Sequence, residues 1–378
     1  MHLSLCCNTL LNPAVIGDSN EDAYVKSAQF SPDGAVFLAI FNDSRLSIYH
    51  TPEVDHREDK NIPDYAPATV SSMLELRCND DIRGACFFPN FNYAVPDSCC
   101  LLIASRGNPV HLHDTQTGKR HFTYKPISRQ EELVETYSLD FHPLGKYFIA
   151  GSRGTIHIFD IESPGSDIEA SETPTQGVRK IYAKIGGTFG IVSSISHNPH
   201  AYNVYACGDY NSLIGVFDHN ISRHESLTKP FTDSERQMGP ITHLRWLNEH
   251  ILLEGGRTDA YVRAFDIRGT SNAPIMRCKR TVVNNQKVTF DIKDGALVSG
   301  TSNGDVVAYE TATAECQMVT KISANPVTSA QFHPTLPLLL TASGTRTFQS
   351  YKGDIDSDTD TISDSTVKLW FVSTDSQT

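Results

Sequence analysis

The stretch LLEGGRTDAYVRAFDIRG, residues 252–269, holds a short apolar run, two glycines, the trio Arg257-Thr258-Asp259, and a second run ending at Phe265-Asp266. The flanking runs alternate in character as half-buried strands do, and the glycines and the trio sit where a hairpin reverses. The stretch is therefore predicted to be a β-hairpin. Its grammar recurs in YFIAGSRGTIHIFD (147–160), YACGDYNSLIGVFD (205–218) and ALVSGTSNGDVVAYE (296–310). Each has a small-residue strand, a polar turn, a β-branched strand, then an aromatic followed by an acid. Less regular copies are VFLAIFNDSRLSIYH (36–50), LLIASRGNPVHLHD (101–114) and LLLTAS (338–343), the last resuming at TVKLWF (366–371), which brings the total to seven.

A further strand precedes every hairpin, with AQFSPDG, LDFHPLG and AQFHPTLP as the clearest examples. A unit of at least three strands cannot bury both of its faces alone, so the units must stack around an axis. Repeats of this size, closed by an aromatic-acid pair, resemble the WD-repeat blade. The fold expected is all-β, a seven-bladed WD-repeat β-propeller occupying residues 1–378 as one domain. The seventh blade lacks an outer strand, and the apolar segment MHLSLCCNTLL at residues 1–11 is expected to supply it. A secretory signal is the rival reading of that segment, but no Lys or Arg precedes the apolar run and no small-residue cleavage site follows.

Nine cysteines, an odd number with no CxxC spacing, indicate neither a disulfide framework nor a zinc site. No apolar run is long enough to cross a bilayer as a helix. A formal charge of -12 disfavours unspecific binding to DNA, RNA or anionic lipid. His111 and His113 lie two apart on a strand but lack a third ligand. The run DIDSDTD at 354–360 lacks the glycine and glutamate of a calcium loop, with Thr359 and Ser365 in their places. It reads instead as part of an acidic, disordered insertion, residues 347–365, in which Ser357 has a weak phosphorylation context. IGGTFG, residues 185–190, lacks the context of a phosphate loop. No metal, cofactor or catalytic residue is assigned, and the protein is expected not to be an enzyme. Replacing the insertion with a short Gly-Ser linker is expected to leave soluble expression intact, because so polar a segment buries little. Loss of soluble protein would contradict that reading.

Asp43, Asp259, Asp305 and Asp364 stand just ahead of third strands, where a turn aspartate accepts backbone hydrogen bonds. Arginine recurs at the hairpin turns as Arg45, Arg106, Arg153, Arg257 and Arg346. Blade symmetry places these turns on one face and predicts a ring of positive charge. The plainer reading pairs each arginine with a turn aspartate and gives it only a structural role. Residues 276–287, MRCKRTVVNNQK, add Arg277, Lys279, Arg280 and Lys287 with no acid among them, against the plainer reading of a solvated outer strand.

The stretches FGIVSSISHNP, GPITHLRW, NNQKVTFDIKDGALVSGTSNGDVVAYE and VTSAQFHPTLPLLLTASGTR, together with ASRGNPVHLHDTQTGK, resemble the telomerase Cajal body protein family. The resemblance runs from about residue 28 to residue 370, most specifically in the second half. It implies a protein that binds small nuclear and Cajal-body (scaRNA) or telomerase RNAs and assists RNP assembly, localisation or splicing in the nucleus. It also implies a short, fungal-type member without the extended N-terminal region of longer ones. Small non-coding RNA and RNP proteins are the implied partners of a monomeric ring. The alternative is a protein-only scaffold, nuclear or cytoplasmic, favoured by the acidic balance.

Overall fold

The computed structural model describes residues 2–9, 23–53, 70–128, 131–163, 165–166, 169–171, 190–220, 226–228, 231–269, 271–346 and 365–373. Seven sheets follow one another along the chain and form a ring, the β-propeller. The innermost strands of blades 1 to 7 are Val25–Phe30, Ile82–Phe87, Ser138–Phe141, Val192–His197, Ile241–Trp246, Phe290–Lys293 and Val327–Phe332. Blade 1 shows the common order, continuing outward through Val36–Phe41, Arg45–His50 and Leu74–Arg77, each antiparallel to the last.

Two blades depart from four strands. Gly165–Ser166 lies parallel to Arg120–Lys125 and makes blade 2 five-stranded. Blade 4 has three strands among the described residues, and Leu227 N–H donates to Val216 O at 2.7 Å along its open edge. In blade 7, His2–Thr9 is the outer strand, antiparallel to Thr366–Ser373 with His2 opposite Ser373 and Thr9 opposite Val367.

The second strands are apolar without alternation because both faces of a blade are covered. In VFLAIF, Phe37, Ala39 and Phe41 pack toward blade 7, against Leu340, Ala342, Val367 and Leu369. Val36, Leu38 and Ile40 face the other way, against Ile82, Leu101 and Ile103 of blade 2. Among the described residues seven such apolar clusters are present, one at each seam between neighbouring blades. Seven seams for seven blades is the signature of a closed ring, since an open one would have six.

The described part of the expected insertion is its last residue. Ser365 belongs to the ring, its hydroxyl accepting the Val25 N–H at 2.9 Å. Residues 347–364, with the DIDSDTD run, Ser357 and Asp364, lie outside the described residues, as do 185–189 of IGGTFG.

Candidate nucleic-acid interface at the mouth of the central channel

The hairpin turns between second and third strands share one backbone device, a residue in the left-handed region. Ser44, Gly107, Gly154, Ser212, Thr258 and Gly304 occupy it, with φ between 48° and 85°. Arg106, Arg153 and Arg257 each precede that residue. Arg45 follows Ser44, so it begins a strand rather than capping a turn. Its guanidinium lies 4.1 Å from the centroid of the Phe41 ring and 3.5 Å from Asp43. The structural reading is right for Arg45.

The same register corrects one aspartate. Asp259 and Asp305 follow their left-handed residues, whereas Asp43 precedes Ser44 and takes the place that Arg257 has in blade 5. Asp259 holds its turn as a fold residue would: Oδ2 accepts from Gly239 N–H at 2.9 Å and from Arg263 Nη1 at 2.7 Å, and Oδ1 accepts from Tyr261 N–H. Asp305 donates its own N–H to the Thr301 hydroxyl. In blade 4 the work falls to Asp209, which accepts from the N–H groups of Gly190, Asn211 and Leu213. Burial pushes the Asp209 carboxyl up to about 6.

The cations divide accordingly. Arg153 and Arg346 are exposed, and Arg106 reaches toward Asp80 at 3.9 Å across solvent. Arg257 lies 4.8 Å from the centroid of the Tyr210 ring, and its Nε is buried without a hydrogen-bond partner. Two residues of the basic stretch must be removed from the interface. Arg280 is 2% exposed, and its guanidinium donates to Val288 O, Gly256 O and the Ser299 hydroxyl. Burial lowers it to about 10. Arg277 sits on the outer strand of blade 5, committed to Asp233 through Nε and Nη2 at 3.0 and 2.9 Å. Lys279, the last residue of that strand, is exposed.

Lys287 is different. It is solvent-exposed and lines a channel of about 460 Å³ along the ring axis. Desolvation by the channel walls, then Arg257, then Lys26 push its ammonium down to about 8. Asn284 and Gln286, beside it, are bonded to each other, and Gln286 Nε2 also donates to Gly344 O.

The channel brings in cations that the sequence reading missed. Innermost strands of five blades carry a bulge that skips one residue: Lys26, Arg83, Ser193, Thr242 and Thr328. In blades 4, 5 and 7 that residue is a buried hydroxyl bonded to a neighbouring carbonyl. Lys26 and Arg83 cannot be accommodated that way, and the bulge aims them into the channel mouth. Both pair with Asp81, at 2.5 and 3.4 Å. Arg245 lines the channel deeper, bonded to Asp291 at 2.8 Å. The signal for these cations lies in the polar, axis-facing side of the first strands, not in the hairpin turns.

His111 and His113 are packing residues, with Nδ1 of His111 against the Thr123 hydroxyl at 3.0 Å and burial pushing that ring down to about 4. Among the described residues no group of three His, Cys, Asp or Glu could hold a metal ion. No described helix is long and apolar enough to cross a membrane.

Comparison with known proteins fits this geometry. The family described as "WD domain, G-beta repeat" matches residues 131–160. Telomerase Cajal body protein 1 of Bos taurus is 30% identical over 334 residues, 86% of this chain and 58% of that protein. The Homo sapiens protein of that name matches to the same extent. In Schizosaccharomyces pombe, Guanine nucleotide-binding protein negative regulator 1 is 26% identical over 317 residues, 80% of this chain and 77% of its own length. The chain thus spans less than two thirds of the mammalian relatives and more of the shorter fungal one. With seven blades in a ring and a match along most of its length, the chain is a WD-repeat β-propeller whose relatives include the telomerase Cajal body proteins.

Proposed function

We propose that the ring is a non-enzymatic binding platform that holds a small non-coding RNA on its arginine-bearing face and assists assembly or localisation of the RNP, in the nucleus. The observation that carries this is the placement of Arg106, Arg153, Arg257 and Lys287 at the hairpin turns and channel mouth of a protein with formal charge -12. Arg153, Arg257 and Lys287 have no carboxylate within ion-pair distance among the described residues. Guanidinium groups pair bidentately with phosphate and stack on bases, which suits a single-stranded RNA loop. The names of the mammalian relatives support telomerase or Cajal-body RNA as the class of target.

Filter binding at controlled salt tests this with a cognate small nuclear RNA. Arg153→Ala and Arg257→Ala are each expected to weaken binding by roughly 1–3 kcal/mol with the fold intact. The slope of log affinity against log salt should fall by about 0.7 for each RNA phosphate that the variant no longer neutralises. Arg120→Ala, on the fourth strand of blade 2, should change neither. Equal affinity for the double variant and the parent would remove the arginine face from the mechanism. It would then favour a protein-only scaffold, the reading that the name of the S. pombe relative supports.

A further inference from the structure

We propose that the mouth of the central channel is a seat for a phosphate group of at least two negative charges, with Arg257 and Lys287 as its anchors and Lys26 and Arg83 at its rim. Lys26, Arg83, Arg257 and Lys287 all line one cavity of about 460 Å³, a size that suits a small ligand. One carboxylate, Asp81, serves the first two of these cations and is shared between them. Four cations with one carboxylate leave a surplus larger than a singly charged phosphodiester would neutralise. The lining carboxylates deeper down are already committed, Asp291 to Arg245 and Asp140 to His197, each at 2.8 Å.

One anchor is held in place before any ligand arrives, and the other is left free to pair with it. Arg257 is fixed against the Tyr210 ring, with its Nε buried and unpartnered. Lys287 makes no hydrogen bond through its ammonium among the described residues, and its charge is resisted by Arg257 and Lys26 beside it. Cations assembled against their own repulsion cost stability unless an anion joins them, and here an anion can enter by the open mouth. The shared chemistry is a terminal or condensed phosphate, borne either by a small ester such as a nucleotide or by the end of an RNA chain. This goes beyond the RNA reading and does not depend on it.

Isothermal titration of the full chain with inorganic pyrophosphate, at fixed ionic strength in chloride, tests the seat. One equivalent should bind. Lys287→Gln and Arg257→Gln should each weaken binding at least tenfold, while Arg120→Gln, outside the channel, should not. Parent affinity should decline as pH rises through about 8, and the Lys287→Gln protein should lack that decline. If either variant misfolds, the unaltered protein still answers: pyrophosphate should slow acylation of Lys287 by an amine reagent, read by mass spectrometry, without slowing Lys279. No binding, or binding unchanged by both substitutions with no protection of Lys287, would overturn the proposal. Competition between pyrophosphate and the RNA separates the sources: displacement assigns the seat to an RNA-borne phosphate, and simultaneous binding assigns it to a free ligand. Failure of RNA to bind at all would leave the pyrophosphate titration readable by itself.

Discussion

Arg263→Ala is expected to destabilise the ring by about 3–5 kcal/mol, the cost of breaking a buried ion cluster from one side. Arg263 Nε donates to Asp233 at 2.7 Å, and Nη1 donates to Glu254 at 2.8 Å and to Asp259 at 2.7 Å. All four side chains are at most 2% exposed. Without the guanidinium, three carboxylates remain in the interior of blade 5, with Arg277 bonded to Asp233 and the buried Arg280 near Glu254 and Asp259 as the cations left to offset them. Glu254 is already pushed up to about 7 by burial and by Asp259. With Arg263 gone, the folded-state Glu254 carboxyl rises further above its unfolded value, so protonation favours the folded variant. The deficit should therefore shrink as pH falls from 8 to 5, which a simple packing cavity would not do. Urea unfolding at both pH values decides it: a loss below about 1 kcal/mol, or one independent of pH, would contradict the cluster's role. Arg263→Lys should recover only part of the loss, since one ammonium cannot reproduce the planar fork that spans three acceptors.

Removing residues 1–9 is expected to lower the melting temperature by about 5–10 °C, or to cause aggregation, because a lost strand costs several kcal/mol in a domain of this size. The pairing of His2–Thr9 with Thr366–Ser373 covers the polar backbone edge of blade 7. Uncovered, that edge offers free N–H and C=O groups to other chains. Light scattering during a thermal melt, parent against truncated protein, is the measurement. Unchanged melting without scattering would mean that the ring is held by its apolar seams alone.

The architecture was legible because each blade repeats one pattern, and a period visible seven times outweighs any single ambiguous segment. What the repeat could not convey was a one-residue offset. Arg45 and Arg257 look equivalent in NDSRL and GGRTD, yet they lie on opposite sides of the left-handed residue, and only backbone φ separates them. Arg280 and Arg277 were misplaced for a related reason. A basic stretch read as a strand and loop does not reveal that its guanidinium groups meet Asp233 or inward-facing carbonyls from residues distant in sequence. Lys26 and Arg83 escaped notice because a bulge alters which side of a strand a residue faces, and bulges leave no strong mark in composition.

The pairing of residue 2 with residue 373 has a kinetic consequence. During synthesis at about 5–20 residues per second, the segment that closes the ring waits on the order of 20–70 s before its partner strand exists. The seam between blades 7 and 1 is delayed equally, since Phe37 and Ala39 await Leu340 and Leu369. Blades 1 to 6 can pack against their neighbours as they emerge from the ribosome, but their circle cannot shut. Such long-range closure raises contact order and slows the last step of folding. The ring is in this sense a product of the finished chain, and every nascent copy passes through an arc with two sticky ends.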